Sequence, residues 1–360
     1  MTDQEPQEFT FEYQGSGTSV AEYAFTFEDE QTTVELSKAD LTDKKELPGA
    51  SLKVTDEDGN TVDEWVSKEE AHIIKGLIVG KKYKMTETKP ADGYVTAESI
   101  EFTVENTKEV QKHQMLDDVT KVEISKKDIT DSSEVPGAKL IILDKDGKKV
   151  ESWTSTDKPH MVEKLPVGEY TLREEQAPDG YLIAEDVKFT VKDTGKVQKV
   201  KMKDAHPYGK LVIKKTDSTS KAALSGAEFE LREKESGKVV EKLVTDKTGT
   251  ATSGKLPIAT YKNGKVEKTV EYILVETKAP NGYELSSKKE EIRFEYKDGK
   301  TKVIEIVKEI KNTKSPSGST PTGNSPKTGD STNIWLPILL AVLSACGIGG
   351  EIWYKKKKGN

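Results

Sequence analysis

Tyr83–Tyr94 reads YKMTETKPADGY, Tyr170–Tyr181 reads YTLREEQAPDGY and Tyr272–Tyr283 reads YILVETKAPNGY. Each stretch alternates apolar and polar residues, reaches an acidic residue, and then turns through Asp-Gly or Asn-Gly to a closing Tyr. Alternation with period two is the mark of a half-buried strand, and DG or NG dipeptides mark its turns. Tyr94 and Tyr181 are 87 residues apart, and Tyr181 and Tyr283 are 102 apart. The chain therefore repeats one structural unit, and the third copy carries an insertion.

Upstream of each stretch lies a strand-like run ending in Lys-x-Asp. These runs are VELSKAD (Val34–Asp40), VEISKKD (Val122–Asp128) and LVIKKTD (Leu211–Asp217). A small turn follows each: LPGA (Leu47–Ala50), VPGA (Val135–Ala138) and LSGA (Leu224–Ala227). The extra length of the third copy falls between Ala227 and Glu276. Short runs rich in Val, Ile, Thr and Tyr, bounded by DG, NG, PG and SG, read as antiparallel strands. Roughly seven of them per repeat make a β-sandwich. The expected fold is all-β, with sandwiches over 33–119, 120–207 and 208–314. Residues 1–32 read as the remnant of a preceding repeat, because AEYAFTF (Ala21–Phe27) echoes AESIEFTV (Ala97–Val104) and AEDVKFTV (Ala184–Val191).

Composition agrees with small modules. The 360 residues include 56 basic and 63 acidic side chains, a net charge of −7, too acidic and too evenly mixed for a nucleic-acid grip. Only 33% of residues are hydrophobic, which favours several thin cores over one large one. Cys346 is the sole cysteine, so neither an internal disulfide framework nor a cysteine-based zinc cluster is available. His72, His113, His160 and His206 are scattered without a metal-binding spacing. No metal or cofactor is expected.

The C-terminal part has a different character. Residues 315–333, SPSGSTPTGNSPKTGDSTN, are almost all Ser, Thr, Pro, Gly and Asn, which cannot build a core and read as a flexible linker. Ile334–Gly350, IWLPILLAVLSACGIGG, is uncharged and mostly apolar, and Lys355–Lys358 follow closely. As a helix those residues span about 25 Å, short of the ~30 Å hydrocarbon core unless Glu351–Tyr354 extend them. A transmembrane helix over 334–354 and a cytoplasmic basic tail over 355–360 are expected, which puts the repeats outside. A buried helix of a soluble domain is the competing interpretation. The start of the chain lacks a secretory signal, so the expectation is that the true N-terminus lies upstream.

Parity along the strands exposes a recurring oddity. Lys38 continues the apolar face of Val34 and Leu36, Lys126 that of Val122 and Ile124, and Lys215 that of Leu211 and Ile213. Glu87, Glu174 and Glu276 fall in phase with Tyr83 and Met85, Tyr170 and Leu172, Tyr272 and Leu274. In the closing strands Asp117 follows Met115, Asp204 follows Met202, and Asn312 follows Ile310 on the same face. Burial makes a lysine amine neutral and nucleophilic, and keeps a carboxyl protonated. Such an amine can attack the carbonyl of Asp117, Asp204 or Asn312 while a protonated Glu polarises it. The alternatives are an inward ion pair, or lysines that snorkel to solvent. Recurrence in three repeats favours chemistry. Lys127 and Glu175 are neighbours that parity and spacing disfavour.

The Lys-x-Asp opening, the E-x-x-A-P-x-G-Y box and the closing Asp or Asn resemble the collagen-adhesin B-type (CnaB) domains of Gram-positive surface adhesins and pilins. The resemblance covers roughly residues 33–314. It implies a prealbumin-like β-sandwich in which the first-strand Lys is joined to the last-strand Asp or Asn, with the box Glu as catalyst. The implied sets are Lys38/Glu87/Asp117, Lys126/Glu174/Asp204 and Lys215/Glu276/Asn312. Repeat one departs from the pattern with Pro90-Ala91 where the family has Ala-Pro.

Ser325-Pro326-Lys327-Thr328-Gly329, followed by the apolar run and the Lys block, likewise resembles a sortase sorting signal, with Ser325 in place of the usual Leu. That resemblance implies cleavage between Thr328 and Gly329 and attachment of Thr328 to a peptidoglycan amine. A permanent single-pass anchor is the competing reading. Together these features point to a non-enzymatic stalk, anchored in a Gram-positive cell wall, that holds a binding region away from the cell. Its expected partners are a sortase, peptidoglycan and a host or extracellular-matrix protein. A minor or basal pilus subunit is the alternative; a V-Y-P-K-like pilin motif is absent, and PYGK (Pro207–Lys210) is not one. A third option is a set of accessory domains of a secreted hydrolase whose catalytic part lies elsewhere.

Overall fold

The computed structural model describes residues 8–10 and 30–316. The sorting motif, the expected transmembrane helix over 334–354, the basic tail and most of the N-terminal segment lie outside the described residues. No helix among the described residues is long and apolar enough to cross a membrane.

Repeat one consists of β1 (Thr33–Asp40), β2 (Ser51–Thr55), β3 (Thr61–Val66), β4 (His72–Lys75), β5 (Lys82–Lys89), β6 (Ile100–Thr103) and β7 (Gln111–Asp117). Repeat two consists of β8 (Lys121–Asp128), β9 (Lys139–Leu143), β10 (Lys149–Thr154), β11 (His160–Glu163), β12 (Gly168–Gln176), β13 (Val187–Val191) and β14 (Gln198–Asp204). Repeat three opens with β15 (Tyr208–Asp217), β16 (Glu228–Glu233), β17 (Val239–Val244), β18 (Thr250–Thr252) and β19 (Leu256–Pro257). It continues with β20 (Ala259–Lys262), β21 (Lys265–Thr269), β22 (Glu271–Lys278), β23 (Lys289–Arg293) and β24 (Val303–Asn312). All regular elements among the described residues are strands.

Each repeat is a sandwich of two sheets. In repeat one these are β4-β1-β7 and β3-β2-β5-β6, and repeat two copies the order as β11-β8-β14 and β10-β9-β12-β13. In repeat three β24 and β18 flank β15 on one sheet, and β17-β16-β22-β23 form the other. The inward residues of both sheets make the main apolar cluster of each repeat, and a smaller one sits under the turns of repeats one and two. In repeat one Val34, Leu36, Leu52, Val54, Met85 and Met115 are buried together. Repeats two and three have their own equivalents. The low hydrophobic content thus supplies three thin cores.

Antiparallel pairing holds within the hairpins and fails at one place in every repeat. The first and last strands pair parallel: β1 with β7, β8 with β14, and β15 with β24. Short turns dictate antiparallel neighbours, but these two strands are separated by the whole repeat, so no turn constrains their direction. In this register Asp40 lies opposite Asp117, Asp128 opposite Asp204, and Asp217 opposite Asn312.

The insertion in repeat three becomes the hairpin β20–β21, since β18 pairs with β15 as β4 does with β1, and this hairpin docks on repeat two. Tyr261 donates its hydroxyl hydrogen to the carbonyl of Gly180 at 2.8 Å. Its ring stacks on His206, with centroids 3.5 Å apart and planes 4° from parallel. Gly180 has φ +89, and a Cβ there would sit 2.3 Å from a Val266 methyl, so only glycine admits the hairpin. Repeats one and two meet through Lys164, whose ammonium donates to the Tyr94 hydroxyl at 2.6 Å.

Candidate functional site

Strand pairing brings the sequence-selected residues together in all three repeats. The Lys and the Asp or Asn sit on the adjacent parallel strands of one sheet, and the Glu projects from the facing sheet. All nine side chains are buried, none more than 4% exposed. In repeat one Lys38 Nζ lies 2.8 Å from Glu87 Oε1 and in direct contact with Asp117 Oδ1. In repeat two Lys126 Nζ lies 2.9 Å from Glu174 and contacts Asp204 Oδ1. In repeat three Lys215 Nζ is 3.4 Å from Glu276 and contacts Asn312 Oδ1, while the Asn312 amide donates to both Glu276 oxygens at 2.9 and 3.1 Å.

Each glutamate is oriented by the chain leaving its own strand. The N–H of Ala97 donates to Glu87 at 2.7 Å, that of Ala184 to Glu174 at 2.6 Å, and that of Ser286 to Glu276 at 2.9 Å. One carboxylate oxygen is thereby tied to the backbone ten residues downstream in every repeat. The competing residues of repeat two lie elsewhere: Lys127 pairs with Glu134 at 2.8 Å, and Glu175 is exposed.

Burial sets the charge states. It pushes the Asp117 carboxyl up to about 7, against the pull of Lys38 and with the added push of Glu87. The Asp204 carboxyl rises to about 7 for the same reason, against Lys126 and with Glu174. In repeat three, where the partner is an uncharged amide, burial pushes the Lys215 ammonium below its ordinary value, and Glu276 opposes that. A nucleophilic nitrogen, a neutral carbonyl and a carboxyl group able to carry a proton are the parts an amide-forming site requires.

A second recurring set has no role assigned from sequence. The hydroxyls of Tyr94, Tyr181 and Tyr283 donate to Asp40, Asp128 and Asp217 at 2.8, 2.8 and 2.9 Å. These tie the E-box turn to the end of the first strand. Asp40 is held down at about 2: burial opposes this, but the Thr42 N–H, the Tyr94 hydroxyl and Lys164 prevail. Asp217 is also held at about 2, by the N–H groups of Ser220 and Thr219 and by the Tyr283 hydroxyl. Aspartates directly opposite in register, Asp40 and Asp117, thus have opposite charge states. The threefold recurrence of Asp in Lys-x-Asp and of the closing Tyr was the signal available in sequence for this set.

Among the described residues no group of His, Cys, Asp and Glu is placed to hold a metal ion.

The chain matches the family model described as SpaA, prealbumin-like fold domain, over residues 32–118, 120–206 and 209–310. Among solved structures it is similar to the Bacillus anthracis TIE protein, at 28% identity and a TM-score of 0.53, over 79% of this chain and 52% of that one. It thus spans about half the length of that protein. It is also similar to BcpA, the major pilin subunit of Bacillus cereus, at 18% identity and a TM-score of 0.47, over 79% of this chain and 100% of that one. A third similarity is to the full-length major pilin SpaD from Corynebacterium diphtheriae, at 19% identity and a TM-score of 0.37, over 81% and 99%. No curated protein matches.

Proposed function

The chain belongs to the SpaA prealbumin-like fold domain family, and from that premise we propose that it is the structural stalk of a Gram-positive cell-wall-anchored surface protein. Its repeats are locked by autocatalytic Lys38–Asp117, Lys126–Asp204 and Lys215–Asn312 isopeptide bonds. The observation that carries this is the contact of a buried lysine Nζ with the Asp or Asn side-chain oxygen, beside a buried Glu, three times over.

The chemistry balances without a cofactor. In repeats one and two the amine lone pair attacks Cγ of the neutral carboxyl and a C–N bond forms. The C–OH bond then breaks, the amine proton passes through Glu87 or Glu174 to the leaving hydroxyl, and water departs. In repeat three the C–N bond of the Asn312 amide breaks instead, Glu276 relays the proton, and ammonia departs. The buried pocket favours the neutral reactants over an ion pair. Each centre reacts once, so the chain is a substrate of its own fold rather than a turnover enzyme.

Intact-mass measurement tests this. The folded protein should be lighter than its sequence by two waters and one ammonia, and Glu174→Gln should restore one water while leaving the other two bonds. A mass equal to the unmodified sequence would sink the assignment.

Anchoring is the second part of the proposal. A sortase would cleave after Thr328 in the Ser325–Gly329 motif and join it to peptidoglycan, with the apolar run and Lys355–Lys358 holding the precursor at the membrane. Thr328→Ala should move the protein from the wall fraction to the membrane or medium. Detergent extraction of the wild type without wall digestion would favour a permanent anchor. A detergent-resistant ladder of multimers after wall digestion would instead identify a pilus subunit.

A further inference from the structure

The backbone N–H of the buried lysine is satisfied differently in the repeats. In repeat one β4 pairs with β1 only from Thr33 to Leu36, and in repeat two β11 pairs with β8 only from Lys121 to Ile124. The edge strand therefore stops before the lysine in both. A side chain takes over: Lys38 N–H donates to Glu46 Oε2 at 3.2 Å, and Lys126 N–H donates to Glu134 Oε2 at 3.0 Å. Each glutamate sits eight residues after its lysine. Its other oxygen is held too, by the Ser37 hydroxyl at 2.5 Å in repeat one and by Lys127 Nζ at 2.8 Å in repeat two.

Repeat three has Ala223 at the matching position, bridged to Thr216. There the Lys215 N–H donates to the carbonyl of Gly249 at 2.7 Å, just ahead of β18, the counterpart of β4 and β11. Gly249 has φ +69, and a Cβ would sit 2.5 Å from the Lys215 carbonyl oxygen, so the close approach needs glycine. The turn before β18 thus supplies from backbone what a glutamate supplies in the other two repeats.

We infer that Glu46 and Glu134 are positioning residues for the cross-linking reaction, acting through the backbone of the lysine that attacks. This rests on the isopeptide assignment above. A donor beside a buried core that loses its acceptor pulls the strand toward water. A lysine whose backbone shifts no longer holds Nζ at the carboxyl carbon, and near-attack geometry tolerates little displacement. The glutamate touches neither reacting atom and carries no proton in the reaction.

The test uses the full chain made in a short cell-free synthesis pulse. Aliquots are quenched in acid, and the tryptic cross-linked peptides of the three repeats are quantified. The peptides of repeats two and three serve as clocks within the same molecule. Glu46→Ala should slow formation of the Lys38–Asp117 peptide about tenfold, the scale of one lost hydrogen bond to a buried donor. Glu46→Gln should restore the rate to within about twofold, because its carbonyl oxygen still accepts from Lys38 N–H and its amide can donate to Ser37. Hydrogen exchange on the same samples should show the repeat-one core protected as in wild type. An unchanged rate in Glu46→Ala, a Gln variant as slow as Ala, or protection lost in step with the cross-link would each overturn the inference. Absence of every cross-linked peptide in wild type would instead defeat the isopeptide assignment itself.

Discussion

Repeats one and two present an aspartate to the buried lysine and repeat three presents Asn312, so one degree of burial acts on different partners. In the first two, burial holds the carboxyl neutral up to about pH 7, which makes it an electrophile rather than a counter-ion. In the third the amide is neutral at every pH, and the pressure of burial falls on the lysine. The backbone follows the same division, with Glu46 and Glu134 bracing the lysine strand in two repeats and Gly249 in the other. The comparison teaches that the reactive geometry is kept while the means of holding it varies.

The largest effect should come from removing a lysine. The enclosed segments are 78 residues in repeat two and 97 in repeat three. Treated as cross-linked loops, each bond removes about 4–5 kcal/mol of unfolded-state entropy, and the two differ by only about 0.2 kcal/mol. Lys126→Ala and Lys215→Ala should therefore lower the melting transition of their own repeat by similar amounts, about 20 °C or more. Calorimetry with hydrogen exchange to assign the transitions checks this. A mild effect in only one repeat would break the equivalence and show that its bond does not form.

A smaller effect should separate Asp from Asn repeats by pH. Lys38→Met blocks the bond but leaves Asp117 buried. Its folded carboxyl binds a proton more tightly than the unfolded one, with a folded value raised to about 7 even with the lysine present. The stability this contributes is present in acid and is lost as pH rises from about 4 through 7. The melting temperature of repeat one in Lys38→Met should thus fall by several degrees between pH 5 and pH 8, at about 4–8 °C per kcal/mol. Lys215→Met, with Asn312 at the matching place, should show no such fall from that position. Parallel pH profiles in the two variants would refute the assignment of a neutral Asp117.

The smallest effect concerns the junctions. The first uses an ammonium on a Tyr–Asp pair, and the second stacks Tyr261 on His206 beside the equivalent pair. Tyr261→Ala removes the stack and one hydrogen bond, a loss of about 1–2 kcal/mol. Amides of β20 and β21 should exchange faster while the core of repeat two keeps its protection. Equal slowing or speeding throughout repeat two would mean that the hairpin is part of that core.

Much of the candidate site was legible because strand parity is a local property. Lys38, Glu87 and Asp117 each continue an apolar alternation, and an in-phase polar residue must face the core whatever its partner strand. Repetition across three copies then separated the pattern from chance. Glu46 and Glu134 were not legible: each is a single-residue bridge between turns, where no periodicity says which way a side chain points, and repeat three lacks the residue altogether.

By itself the sequence determined the strands, their inward faces, the three repeats and the place of the insertion, since all of these follow from period two and from turn residues. Tertiary structure alone decided that first and last strands run parallel, because no short turn links them. It also decided that Asp117 is held neutral while Asp40, opposite it, is held charged. Both are aspartates on one pair of strands. The difference lies in their surroundings: burial with a neighbouring glutamate outweighs Lys38 for one, and backbone N–H, tyrosine and an exposed lysine outweigh burial for the other. Desolvation and hydrogen bonding depend on neighbours brought from distant parts of the chain, and no local pattern encodes them.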